Sequence, residues 1–151
     1  MTTLKEKIEV MQAFERGEGD KMREIKFRAW DGELKEMLDW DKFFNLDIAQ
    51  VFESKGSWGV YPMQYTGLKD KNGVEIYEGD IVQAFSQGVK GNFEVKWRQE
   101  GSPGWVLFPA WQSSQMWHLH AIETEKGKYQ DSVTVIGNRF ENPELLKEEQ
   151  E

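Results

Sequence analysis

The chain has 151 residues, a net charge of −8 from 19 basic and 27 acidic side chains, and 13% aromatic residues, among them 7 Trp. That length sets the expectation of one domain with short appendages, and the acidic balance argues against a general binder of nucleic-acid backbones, which needs clustered Lys and Arg. The absence of Cys excludes disulfide frameworks, iron–sulfur clusters, thiolate zinc sites and cysteine nucleophiles.

The first twenty residues read as a helix. Leu4, Ile8, Met11 and Phe14 keep the spacing of one apolar stripe, and Thr3 with Glu6 forms a capping-box pattern. Gly17 and Gly19 stop the helix. An isolated helix of this length is marginal in water, so the stripe is expected to dock on its own domain, a sister subunit or another protein. Acids at Glu6 and Glu9 stand where a secretion signal needs an apolar run. The longest apolar run, residues 105–111, falls far short of the roughly 20 residues of a membrane-spanning helix. No membrane contact is expected, and the expected location is the cytoplasm.

From Arg23 the period changes to that of a strand, Ile25, Phe27 and Ala29 alternating with Lys26, Arg28 and Trp30. Asp31-Gly32 suggests a two-residue type I′ turn, with a return strand over 33–38. Residues 39–52 fit neither period and are read as a short helix followed by a strand. Asp70-Lys71-Asn72-Gly73 is a strong turn signal, Glu78-Gly79-Asp80 another, and Gly88-Val89-Lys90-Gly91 a hairpin turn. Strands are expected over 81–85, 93–97, 105–108 and 132–136. Asn142-Pro143-Glu144 reads as N-cap, first position and acidic first turn of a terminal helix. Short strands between Gly-rich turns predict a mainly β (α+β) chain built on a small barrel or sandwich.

No catalytic residue is predicted. None of the seven serines lies in a Gly-x-Ser-x-Gly setting, and neither a phosphate-binding loop nor a dinucleotide fingerprint is present. His118 and His120 share one side of a strand and are the metal candidates, but a zinc site needs a third ligand that spacing does not supply. No cofactor is expected. Asp80, following Gly79, is read as a turn residue that bonds nearby backbone N–H groups. Among the Trp residues, Trp97 and Phe93 alternate with charged residues and are assigned to the core. Trp111 and Trp117 flank Gln112-Ser113-Ser114-Gln115 and are read as surface or interface residues. Base stacking there would need nearby cations, and residues 93–117 offer only Lys96 and Arg98.

Three stretches together resemble the YopX-type proteins of bacteriophages and prophages. They are Met22-Arg23-Glu24-Ile25-Lys26-Phe27-Arg28-Ala29-Trp30-Asp31, then Gln64-Tyr65-Thr66-Gly67-Leu68-Lys69-Asp70-Lys71-Asn72-Gly73 running on to Glu75-Ile76-Tyr77-Glu78-Gly79-Asp80-Ile81-Val82, and Val135-Ile136-Gly137-Asn138 with Glu141-Asn142-Pro143-Glu144-Leu145-Leu146. The resemblance covers about residues 22–146. It implies an SH3-like small β-barrel with additional strands and short terminal helices, and homo-oligomers. The signature residues Tyr65, Thr66, Gly67, Asp70, Gly73, Tyr77, Gly79 and Asp80 are turn and packing residues, so the resemblance implies a fold and not a reaction. Residues 1–21 look like an addition before the usual starting methionine, and the segment from Glu6 to Gly17 is similar to the opening of other small phage proteins.

The expected organisation is thus a helix with a Gly linker over 1–20, a β-rich domain over 22–146 and an acidic tail over 147–151. The leading functional expectation is a non-enzymatic phage accessory protein that assembles with itself and contacts a phage or host protein. Leu4, Ile8, Met11, Phe14, Trp111 and Trp117 are its contact candidates. The alternatives are a nucleic-acid-associated protein, through aromatic stacking or acidic mimicry of DNA, and a metal-assisted hydrolase around His118 and His120. Residues 1–20 carry 5 acids and 3 bases and residues 141–151 carry 5 acids and 1 base. Most of the acidity therefore sits at the ends, which weakens mimicry and leaves an almost neutral body.

Overall fold

The computed structural model describes residues 1–17, 24–86, 89–112, 115–119, 122–123, 129–130 and 133–147; the side chains at 86, 89, 110–112, 115–117, 122–123, 129–130 and 147 are outside the description. Helix α1 (Leu4–Glu15) forms as its pattern requires. Thr3 accepts from the Glu6 N–H and Glu6 accepts from the Thr3 N–H, so both halves of the capping box are made, and Gly17 beyond the helix has φ +72°.

Strands β1 (Phe27–Asp31), β2 (Glu36–Leu38), β3 (Val60–Lys69) and β4 (Glu75–Tyr77) form the first sheet, with β1 between β2 and β3 and β4 also on β3. The β1–β2 connection differs from the expected two-residue turn. Asp31 pairs with Glu36, leaving a four-residue loop in which the Asp31 carboxylate accepts from the Glu33 and Leu34 N–H groups and Lys35 takes the left-handed conformation. Gly32 is needed there for close approach, since a Cβ would lie 3.0 Å from the Gly59 carbonyl oxygen.

Residues 39–52 correct a second expectation, because two helices and no strand occupy them. Asp39 caps α2 (Trp40–Phe44) by accepting from Lys42, and Asp47 caps α3 (Ile48–Ser54) by accepting from Gln50. Ile48, Val51 and Phe52 then form a helical stripe. Both helices cover the face of β1 that carries Phe27 and Ala29, and Phe43 and Val51 fill the space between them. Phe27 lies 6.2 Å from Phe43 and 5.3 Å from Phe52, ring centre to ring centre.

The second sheet is a five-stranded antiparallel half-barrel in the order β11 (Thr134–Asn138), β5 (Asp80–Ser86), β6 (Val89–Arg98), β7 (Gly104–Gln112) and β8 (Gln115–His118). Of the expected turn at 88–91, Gly88 lies outside the described residues and the other three are strand: Val89, Lys90 and Gly91 pair with Ser86, Phe85 and Ala84. Two short strands, β9 (Ile122–Glu123) and β10 (Tyr129–Gln130), extend the first sheet, β10 running parallel to β3. Val82, Val95 and Leu107 face a second core with Ile76 and Val133, and the burial of each such side chain stabilises by about 1.5–3 kcal/mol. Helix α4 (Glu144–Lys147) follows β11. Asn142 does not cap it as the sequence suggests; its carboxamide oxygen accepts from the Asn138 N–H. The fold is mainly β with short helices, in the small-barrel class that the sequence led us to expect. No helix among the described residues is long and apolar enough to cross a membrane.

Candidate functional site

The signature residues meet where the two sheets join. Asp70 is fully buried, and its carboxylate accepts from three backbone N–H groups, those of Asn72 (2.8 Å), Val74 (2.9 Å) and Val135 (2.9 Å). The first two bonds fix the β3–β4 turn, and the third ties that turn to β11 of the half-barrel. Thr66 donates to the Ile76 carbonyl at 2.8 Å and accepts from the Leu68 N–H, which allows Gly67 its φ of +88°. Gly79 donates its N–H to the Val95 carbonyl and accepts from the Arg139 N–H, each at 2.9 Å. Its φ of +83° and the Met63 sulfur 3.2 Å from any added Cβ leave little room for another residue.

Asp80 is buried too and accepts from the Tyr77 N–H at 2.8 Å and from Arg28. The Arg28 guanidinium lies over the Tyr77 ring, 4.7 Å from its centre, and its Nε is buried without a hydrogen-bond partner among the described residues. Burial raises the Asp80 carboxyl above its ordinary range, while Arg28 and the Tyr77 N–H pull against it. Beside it, Lys26 pairs with Glu75 at 2.5 Å and Glu24 at 2.9 Å, and the Tyr77 hydroxyl donates to Glu75 at 2.9 Å. Burial opposes the charge on both Lys26 and Glu75. Their mutual bond, with those from Glu24 and Tyr77, prevails, so Lys26 is raised and Glu75 lowered. The Tyr77 hydroxyl is raised by burial and by its bond to Glu75. Tyr65 packs against Tyr77 at 5.4 Å and lies under Lys26. Asp70 and Asp80 thus hold backbone and a partly buried cation, and Asp80 bonds a nearby backbone N–H as a turn residue does.

The predicted contact residues lie elsewhere. No residue of α1 is buried, and Leu4, Ile8, Met11 and Phe14 are exposed at 74, 39, 55 and 55%. The backbone of β7 and β8 pairs Trp111 with Met116, but the Trp111 and Trp117 side chains lie outside the described residues. His118 is exposed at the end of β8, and His120 lies outside the described residues. Among the described residues no three His, Cys, Asp or Glu side chains are grouped to hold a metal. Phe93 packs on the half-barrel core as expected. Trp97 does not: it stands at the end of β6, is 47% exposed, meets Trp105 edge-on at 5.1 Å and donates to Gln99. The strand alternation correctly gave its face, but the core stops one pair before the β6–β7 loop.

Sequence reading missed an aromatic cleft at the start of β3. Phe140, just after β11, stacks on Trp30 of β1 at 5.6 Å and leans on Tyr61 of β3 at 5.4 Å, while the Arg139 guanidinium lies 4.5 Å from its centre. One lobe, about 210 Å³, lies between α3 and Met63, and a wider open lobe of about 670 Å³ extends past Trp58 to Lys35. Glu78 lines the smaller lobe; burial raises its carboxyl, with Arg139 opposing. The one sequence signal was Trp58 set in Gly56-Ser57-Trp58-Gly59, a loop composition that does not bury a ring.

With the signature residues placed, the family comparison is decisive: the family model "YopX protein" matches residues 26–147. The chain belongs to the YopX family. The crystal structure of protein EF1440 from Enterococcus faecalis is similar, with 27% identity, 83% of this chain and 99% of that chain covered, and a TM-score of 0.50. No curated protein matches the chain. Helix α1 precedes the YopX match, whereas the sheet joint and the aromatic cleft lie inside it.

Proposed function

We propose that this YopX-family chain is a non-enzymatic interaction module that assembles with further copies of itself through α1, and serves as an accessory protein of a bacteriophage or prophage in the bacterial cytoplasm. The observation that carries this reading is the uncovered stripe of α1. A 12-residue helix is marginal alone in water, and the β-rich domain leaves Leu4, Ile8, Met11 and Phe14 exposed. A second copy of the stripe provides cover of matching chemistry. The disposition of the signature carboxylates supports the non-enzymatic part, because Asp70 and Asp80 are engaged by backbone N–H groups and Arg28.

Hydrogen exchange tests the assembly. Amides of residues 4–15 should become more protected as the protein is concentrated, while those of β5–β7 keep the same protection. Exchange in α1 that is fast at every concentration rejects association through the helix.

A further inference from the structure

The aromatic cleft supports an inference independent of α1. Its exposed apolar side chains are all rings: Phe52 at 43%, Trp58 at 50% and Tyr61 at 38% exposure. The aliphatic side chains beneath them, Val51 and Met63, are buried. A groove for an amphipathic helix offers exposed aliphatic side chains to receive Leu and Ile knobs, and this one does not. Around the rings stand Lys35, Lys55 and Arg139, all exposed and none in an ion pair among the described residues. Three cations face two carboxylates, Glu33 and Glu78, so the cleft is locally positive on a chain of net charge −8. Arg139 already lies over Phe140, 4.5 Å from its centre, which places a cation beside the ring surface.

We propose that this cleft binds single-stranded nucleic acid, with Trp58 and Tyr61 stacking bases and Lys35, Lys55 and Arg139 holding phosphates. Half-exposed rings such as Trp58 can accept any base, and flanking cations follow the backbone; together they give sequence-tolerant binding of a single strand. Duplex is excluded from such stacking because the faces of its bases are already covered by their neighbours in the stack. The acidic ends of the chain keep the interaction local to the cleft and weak elsewhere.

The test is fluorescence anisotropy with the full chain and two labelled probes, oligo-dT and oligo-U, which separate a DNA from an RNA target. At about 50 mM salt either probe should bind. Three phosphate contacts predict a log–log salt slope of about −2, hence roughly a 15- to 20-fold loss between about 50 and 200 mM. Trp58→Ala should weaken binding about tenfold or more. The exposed Trp58 ring makes no stacking contact with a described ring, so its unfolding midpoint should stay unchanged. Arg139→Gln and Lys35→Gln should each flatten the slope by about 0.7, and Trp97→Ala, on the other sheet, should change nothing. The proposal is overturned if neither probe binds at low salt, if Trp58→Ala binds as tightly as the parent, or if Trp97→Ala weakens binding equally. It is also overturned if a labelled peptide of residues 1–17 occupies the cleft and the oligonucleotides do not, which would make it a seat for a second copy.

Discussion

The sheet joint and α1 treat their chemistry in opposite ways. At the joint, Asp70, Asp80, Thr66 and Tyr77 turn every polar atom inward onto backbone, a cation or a neighbouring carboxylate. On α1 the apolar side chains stay exposed, and no described residue buries them. The Asp70 carboxylate is engaged by three backbone N–H groups, whereas the apolar stripe of α1 is left exposed. The family signature residues Asp70, Asp80, Thr66 and Tyr77 therefore mark what holds the two sheets together.

That contrast breaks most sharply at Asp80. Asp80→Ala leaves the partly buried Arg28 without its counter-charge, and urea unfolding should register a loss of about 3 kcal/mol, the lower end for a buried pair. A loss of less than about 1 kcal/mol would mean that Arg28 is satisfied by water and that the joint is not closed. Asp70→Ala should cost about 1–3 kcal/mol by orphaning the N–H groups of Asn72, Val74 and Val135. Hydrogen exchange at Val135 should accelerate in that variant more than exchange in β7, since this bond links the turn to β11.

A smaller effect concerns pH. Because the folded Glu75 titrates below its ordinary value of 4.5, its contribution is complete above that value and is lost as pH falls through the lowered one. Lys26 runs the other way: raised above 10.5, it contributes fully below that value and loses its contribution as pH climbs past it. Comparing Glu75→Gln with the parent in acid should show a shallower fall in stability for the variant. Parallel pH curves would indicate that the ion pair is screened at the surface. The smallest effect on stability is expected from Ile8→Glu in dilute protein, within about 0.5 kcal/mol of the parent. A larger loss would place α1 against its own domain.

The sequence makes the turns of the joint legible because their rules are local, whereas the Asp70–Val135 and Arg28–Asp80 bonds span 65 and 52 residues and leave no local mark. Asn72-Gly73 and Gly79 demand turns whatever surrounds them, and an Asp two to four residues before N–H groups accepts from them. The capping box of α1 is local for the same reason. Residues 39–52 were misread because the caps at Asp39 and Asp47 are single residues, and the aromatic stripe that identifies two helices becomes visible only against Phe27. The loop at 32–35 hides its logic in Gly59, far along the chain. Trp97 lies on the expected face and fails only because the core ends beneath it. The cleft is the least legible feature, since Trp30, Tyr61 and Phe140 come from three distant segments and no spacing rule connects them.

Assembly through α1 is read by light scattering on the full chain at tens of micromolar, beside the Ile8→Glu, Met11→Glu double variant. The account predicts a multiple of 17.7 kDa for the parent and a shift toward 17.7 kDa for the variant, with the same unfolding midpoint at high dilution. A parent that stays at 17.7 kDa, or a variant that assembles just as the parent does, would contradict it.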